Sequence, residues 1–228
     1  MTTIRRRIGS LAGIAFVMAV SSGSPAGANS GRAPVPAVLT DVESNAEDIV
    51  DDALAGNRGA VVATANTLRR TAYGPAASAL RSAGVPQTVV RDLGQRANRV
   101  ARVAGSGSMI SVALAANDVS GLMPSLYAHF SDPVPPTILR LDYLDREAEL
   151  RSLAHQTSRA AAAVGRLGPA WAGVRARVVA AGGKTDAASF DRHVAAMQGL
   201  ARRTGRAFEA EAARGLELVD QLERVFTG

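Results

Sequence analysis

Apolar residues along this chain recur at steps of three and four, and no stretch alternates convincingly with a period of two. The pattern predicts an all-α fold. A first amphipathic segment runs from Thr40 to Ala55, with Thr40 or Asp41 placed to cap it and Val42, Ala46, Ile49 and Ala53 on one face. Gly56-Asn57 stops it. A second segment runs from Arg58 to Ser82 through Val61, Ala65, Leu68 and Ala72, and Gly74-Pro75 should kink or split it. Pro86 opens a third, with Val90, Leu93, Ala97, Val100 and Ala104 inward. The run Gly105 to Ser108 interrupts it before a further segment, Met109 to Phe130, that Pro124 should bend.

Asp132 to Pro136 reads as a stiff proline-rich connector, and Pro136 suits the first turn of the helix that follows, Thr137 to Leu153. Thr157 to Ala181, weakened at Gly168-Pro169, and Asp186 to Val225 complete the chain, with Gly182-Gly183 between them. A six- to seven-helix bundle is therefore expected. Residues 29–39 form a flexible tail, 40–131 one half, 132–136 the connector and 137–228 the other half, the two packing as one domain.

The halves match one another. Leu54, Ala65, Leu68 and Ala72 correspond to Leu153, Val164, Leu167 and Trp171 at an offset of 99, as does Gly84 to Gly183. After one inserted residue the offset becomes 100, pairing Val90, Ala97 and Val100 with Phe190, Met197 and Leu200, and Gly105 with Gly205. The expectation is an internal repeat of a three-helix half, two short helices and one long. Against it stands the ease with which alanine-rich amphipathic helices align.

The first 28 residues read as a cleaved signal peptide. Arg5, Arg6 and Arg7 make a positive start, Ile8 to Val20 an apolar core, and Ala26-Gly27-Ala28 a small-residue cleavage site. Thirteen core residues span about 20 Å as a helix, short of the roughly 30 Å hydrocarbon layer. Export to the periplasm or beyond follows, by the general secretory route rather than the twin-arginine one, whose pattern is incomplete. Cleavage removes three arginines and lowers the formal net charge from +6 to +3. Cysteine is absent, which excludes disulfides, thiolate metal sites, iron–sulfur clusters and covalent haem.

Candidate chemistry is sparse. There is no H-E-x-x-H, P-loop or G-x-S-x-G, and the residues three before His129, His155 and His193 are Leu126, Ser152 and Phe190, so the Glu-x-x-His of di-iron bundles is missing. Bundles that hold haem without covalent attachment can use a methionine on the first helix and a histidine on the last. His193 sits on the last, but the first has no methionine. Asp41, Asp48 and Asp52 share an acidic face of the first helix and, with His193, are the weak candidate metal ligands. Pairing of that acidic helix with the eight arginines between residues 56 and 105 is the simpler account of its charge.

The stretch least like generic bundle is 117–149, which lies at the junction of the halves, where pockets tend to form. A ligand or partner site should involve Tyr127, His129, Arg140, Asp142, Tyr143 and Glu147. The chain thus reads as an exported, non-catalytic binding or accessory protein of the periplasm or cell envelope. Its partner would be an envelope protein or a small ligand, without nucleic acid and without a transmembrane helix in the mature chain. A metal- or haem-binding redox or stress protein is the alternative. No cofactor is called for, although haem or a divalent metal is compatible with the composition.

Overall fold

A computed structural model describes residues 31–228. The signal-peptide expectation, residues 1–28, lies outside the described residues, as do Asn29 and Ser30. The described chain is helical: α1 (Ala37–Leu54), α2 (Arg58–Tyr73), α3 (Pro75–Ser82), α4 (Gln87–Ser106), α5 (Met109–Ser120), α6 (Met123–Tyr127), α7 (Pro136–Leu153), α8 (Thr157–Ala180), α9 (Lys184–Leu200) and α10 (Arg206–Thr227).

Ten helices replace the expected six or seven, and each difference has a local cause. Gly74-Pro75 splits α2 from α3, because proline has no N–H to continue the ladder. Gly121 and Pro124 divide α5 from α6, and the Tyr143 ring lies so close to Gly121 that a Cβ there would sit 2.8 Å from it. The expected single helix from Asp186 to Val225 is instead α9 and α10, broken before Gly205, whose φ of 145° favours glycine. Unbroken, that segment would measure about 60 Å, far longer than the 24-residue α8, the longest helix among the described residues. By contrast α8 runs straight through Pro169.

Three helix starts use proline, and α1 is one of them in place of the side-chain cap expected at Thr40 or Asp41. Pro36, Pro86 and Pro135 occupy the cap positions of α1, α4 and α7 with ψ of 135°, 136° and 131°. A residue without an N–H leaves no donor orphaned there. Because α1 starts at Ala37, the segment expected as a loose tail contributes Leu39 to the core. Just before it, the Ser131 N–H donates to the Ala33 carbonyl at 2.8 Å, tying this segment to the start of the connector.

Helix ends recur in one form. After α1, Gly56 (φ 77°) lets the Asn57 N–H reach the Asp52 carbonyl at 2.8 Å. After α7, His155 (φ 56°) does the same for Gln156 and Arg151, also at 2.8 Å. Gly84 and Gly182 close α3 and α8 alike, through Val85 to Leu80 and Gly183 to Val178, both at 3.0 Å.

Packing makes two rings of four helices. In the first, α1 packs on α2, α2 on α4, α4 on α5 and α5 on α1. In the second, α7 packs on α8, α8 on α9, α9 on α10 and α10 on α7. Each ring encloses its own apolar cluster, the first around Leu39, Ile49, Leu68 and Leu93, the second around Ile138, Leu141, Phe190 and Phe208. The helix common to both is α7, which also packs on α5 and α6. Its Leu144 belongs to the second cluster and its Leu150 to the first. Among the described residues one stretch, Met109–Tyr127, has the length and apolar character of a membrane span, but it is broken between α5 and α6 and mostly packed inside the protein.

Leu144→Ala and Leu150→Ala should each lower the unfolding free energy by about 2–5 kcal/mol, as expected for a leucine truncated in a close-packed interior. Equilibrium denaturation in urea checks this. A loss below about 1 kcal/mol at Leu150 would mean that α7 does not serve the first cluster.

Candidate functional site

Burial on every side gives α7 an unusual problem, because Asp142, Asp145, Arg146 and Glu147 are all buried on it. A buried charge is costly unless paired and hydrogen-bonded. Glu147 accepts from Arg151 Nε at 2.8 Å and from Asn117 Nδ2 at 3.3 Å. Arg146 donates through Nη2 to Asp142 at 3.4 Å and lies 4.0 Å from Asp51, while its Nε finds no partner.

Asp145 has no exposed surface, and both its oxygens face His193 Nε2, at 3.0 and 3.1 Å. His193 is equally buried, and its Nδ1 lies 2.9 Å from Glu211 Oε1. With a carboxylate on each ring nitrogen, an imidazolium donating from both satisfies the arrangement once the carboxyls are ionised. Burial alone would depress the His193 pKa, but the hydrogen bonds and charges of Asp145 and Glu211 outweigh it and raise it. Burial pushes Asp145 up to about 6, against the hydrogen bond from His193. Gly215 lets α10 approach this group, since a Cβ there would sit 2.5 Å from Asp145 Oδ2 and 2.6 Å from the imidazole.

At the other end of α7, between the two rings, lies a cavity of about 370 Å³. Its walls come from α1, α6, the proline connector, α7 and the last turns of α10. Among the described residues five acidic side chains line it, Glu43, Glu47, Asp132, Asp142 and Glu223, and no described lysine, arginine or histidine does. Tyr127, itself buried, donates its hydroxyl to Glu43 Oε2 at 2.7 Å. Burial raises Glu43 to about 8. The Tyr127 hydrogen bond opposes this, and the nearby acids Glu47, Asp142 and Glu223 add to it.

Of the six residues expected at a binding site, the structure brings Tyr127 and Asp142 to this cavity. Glu147 and Tyr143 lie elsewhere on α7: Glu147 holds Arg151 and Asn117, and the Tyr143 ring packs on Gly121. Arg140 is exposed and His129 half-buried, and neither lines the cavity. Asp41 and Asp48 face solvent and Asp52 accepts from Asn57 at 3.3 Å. Among the described residues no three His, Asp or Glu side chains converge as a metal ion would need. For His193 to ligate a metal, an ion pair without solvent access would have to break.

The expected pairing of acidic α1 with the arginines of α2–α4 takes a different form. Arg58 donates to the Ala104 and Gly107 carbonyls at 2.8 Å, Arg96 to Asp92 and the Asp118 carbonyl, and Arg99 to Asp118. Meanwhile Glu43 and Glu47 turn to the cavity and Asp51 to Arg146. Glu43, Glu47, Asp132 and Glu223 were not singled out in the sequence as site residues. The i, i+4 pair Glu43–Glu47 on a helix without a basic residue was the available signal. No protein-family model, curated protein or solved structure matches the chain.

Four raised titrations pull stability the same way. Glu43 at about 8, Glu149 at about 7, Asp145 at about 6 and the raised His193 each hold a proton in the folded chain at pH values where the unfolded chain has released it. Unfolding therefore releases protons between about pH 4 and 8, and stability falls as pH rises across that window. Thermal melts should show a midpoint several degrees higher at pH 5 than at pH 8.5. An equal or higher midpoint at pH 8.5 would contradict the buried protonated groups.

Proposed function

We propose that this is an exported binding protein of the periplasm or cell envelope, without catalytic activity of its own, whose small-molecule ligand occupies the cavity between the two helical rings. The cavity carries this reading. Its volume of about 370 Å³ falls in the range of small-molecule sites. It is walled by both halves of the chain and combines charged groups with apolar ones, Val134 and Leu139. Export rests on the sequence of residues 1–28. A binding rather than catalytic role is favoured because His193, the histidine with two carboxylate partners, has no exposed surface and does not line the cavity.

The same proposal includes duplication of one four-helix unit. Helices α1 and α7 begin at Ala37 and Pro136 and end at Leu54 and Leu153, so both bounds repeat after 99 residues. The left-handed residues that follow, Gly56 and His155, share that offset although the residue types differ. Backbone turns recurring without sequence identity are not a consequence of alanine-rich composition. A cavity at the seam of two such units suits their chemistry, since the seam is where the repeated packing leaves unmatched surfaces.

Native mass spectrometry of the protein isolated from its own compartment tests this reading. The mature chain should begin at Asn29 and carry a bound small molecule. Ser44→Trp, which projects an indole from the cavity wall, should lose that molecule while keeping its helical circular dichroism. An intact leader, or a bound mass unaffected by the tryptophan, would contradict the proposal.

A further inference from the structure

We infer that the seam between α2 and α4 is a docking surface for an anionic phospholipid membrane, carried by Arg69, Arg91 and Arg102. It is separate from the cavity, whose lining includes none of these residues. Helices α2 and α3 have no acidic residue, and the one acid of α4, Asp92, is taken by Arg96 at 3.1 Å. Arg58 caps the carbonyl end of α4 through Ala104 and Gly107, and Arg99 pairs with Asp118. Arg69, Arg91 and Arg102 are exposed, and among the described residues none of them has a carboxylate partner.

Helix spacing brings the three to one seam. On α2, Arg58, Val62, Asn66, Arg69 and Tyr73 share one stripe. Both ends of that stripe reach α4. Arg58 does so through the capping bonds, and the Tyr73 ring lies so near Gly94 that a Cβ there would sit 2.9 Å from it. Arg69, between them, therefore borders α4. On α4, Gly94 shares its stripe with Arg91, Asn98 and Arg102, which places both arginines along α2. They stand about 16 Å apart along the axis.

The corresponding seam of the second ring, α8 on α9, is built differently. There Asp191, offset by 100 from Arg91, accepts from Arg175 Nη2 and from Trp171 Nε1, both at 2.7 Å. In the second ring an acid meets the arginine across the seam. In the first, arginine meets arginine. Like charges held together repel, and anions laid across them relieve the repulsion.

The kind of anion follows from what else the face carries. Among the described residues Tyr73, 55 % exposed, is the one large apolar side chain exposed on α2, α3 or α4. A stable protein partner needs a buried apolar centre of several such groups. A bilayer surface needs only spread positive charge and an aromatic ring at headgroup depth. The guanidinium fork matches phosphate oxygens, and three forks spread along the seam suit headgroups lying side by side better than one small anion.

Co-sedimentation of the mature chain with lipid vesicles tests the inference. The chain should bind vesicles of phosphatidylcholine containing about one-quarter phosphatidylglycerol, not phosphatidylcholine alone, and salt should weaken the binding. Arg91→Gln and Arg102→Gln should each lower the partition coefficient about fivefold. Arg177→Gln, which removes an exposed arginine from α8, should leave it within about twofold. Circular dichroism checks that each variant keeps its helices. An equal loss in Arg177→Gln would mean attraction to the overall charge and would overturn the inference. So would equal binding to phosphatidylcholine alone, or no binding to the anionic vesicles. Release by inorganic phosphate beyond that by chloride at matched ionic strength would mark a free-anion site instead. Binding of polyglutamate without binding of vesicles would mark an acidic protein partner, and either result overturns the membrane assignment.

Discussion

A helix covered on all sides cannot leave its charges to water, and α7 is such a helix. It closes the second ring of helices while lying against α5 and α6 of the first, and it buries two acids beside one arginine and a third acid within six residues. Asp142 and Arg146 pair within the helix, as do Glu147 and Arg151, and other helices supply further partners. Asp145 draws His193 from α9 and, through it, Glu211 from α10. Arg146 draws Asp51 from α1, and Glu147 draws Asn117 from α5. The directions of these contacts set how the helices are arranged around α7. Buried ion pairs are weak evidence for added stability, since apolar packing of equal volume often does as well. Their use here is specific: a slip of α9 by one turn would strand Asp145 without a donor, and a slip of α10 would take Glu211 from His193.

The cavity is what remains of the same constraint at the amino-terminal end of α7. There Arg146 satisfies Asp142 only in part, and among the described residues acids of α1, the connector and α10 line the same space. At the middle of the helix an imidazole lies between two carboxylates, and nearer its amino-terminal end Glu43 keeps its proton to about pH 8 chiefly because it is buried.

Much of the fold was legible in the periodicity. Val42, Ala46, Ile49 and Ala53, Val61 to Ala72, and Val90 to Ala104 all lie buried where the three-four spacing puts them. Breaks at Gly74-Pro75 and near Pro124 were also readable. The split of α9 from α10 was marked by the match of Gly205 with Gly105, but the apolar stripe running on past it suggested one long helix. The role of α7 was not legible. Charges at 142, 145, 146 and 147 look like a solvated face by the usual amphipathic rule, and only tertiary contacts from both rings override it. For the same reason Tyr127 and Asp142 could be tied to the junction, while Glu43, Glu47 and Glu223 passed for ordinary helix-surface acids. Conversely, Arg140 and Glu147 share the local pattern but face away from the cavity.

The protonation of His193 bears most directly on this account. Nitrogen-15 NMR of the labelled imidazole, followed against pH, should show both ring nitrogens carrying protons that exchange slowly with water. Its midpoint should lie above the ordinary histidine value of about 6.5. A neutral ring with one bare nitrogen below that pH would contradict it, because one of the two ring-nitrogen contacts, to Asp145 or to Glu211, would then lack the ring's proton.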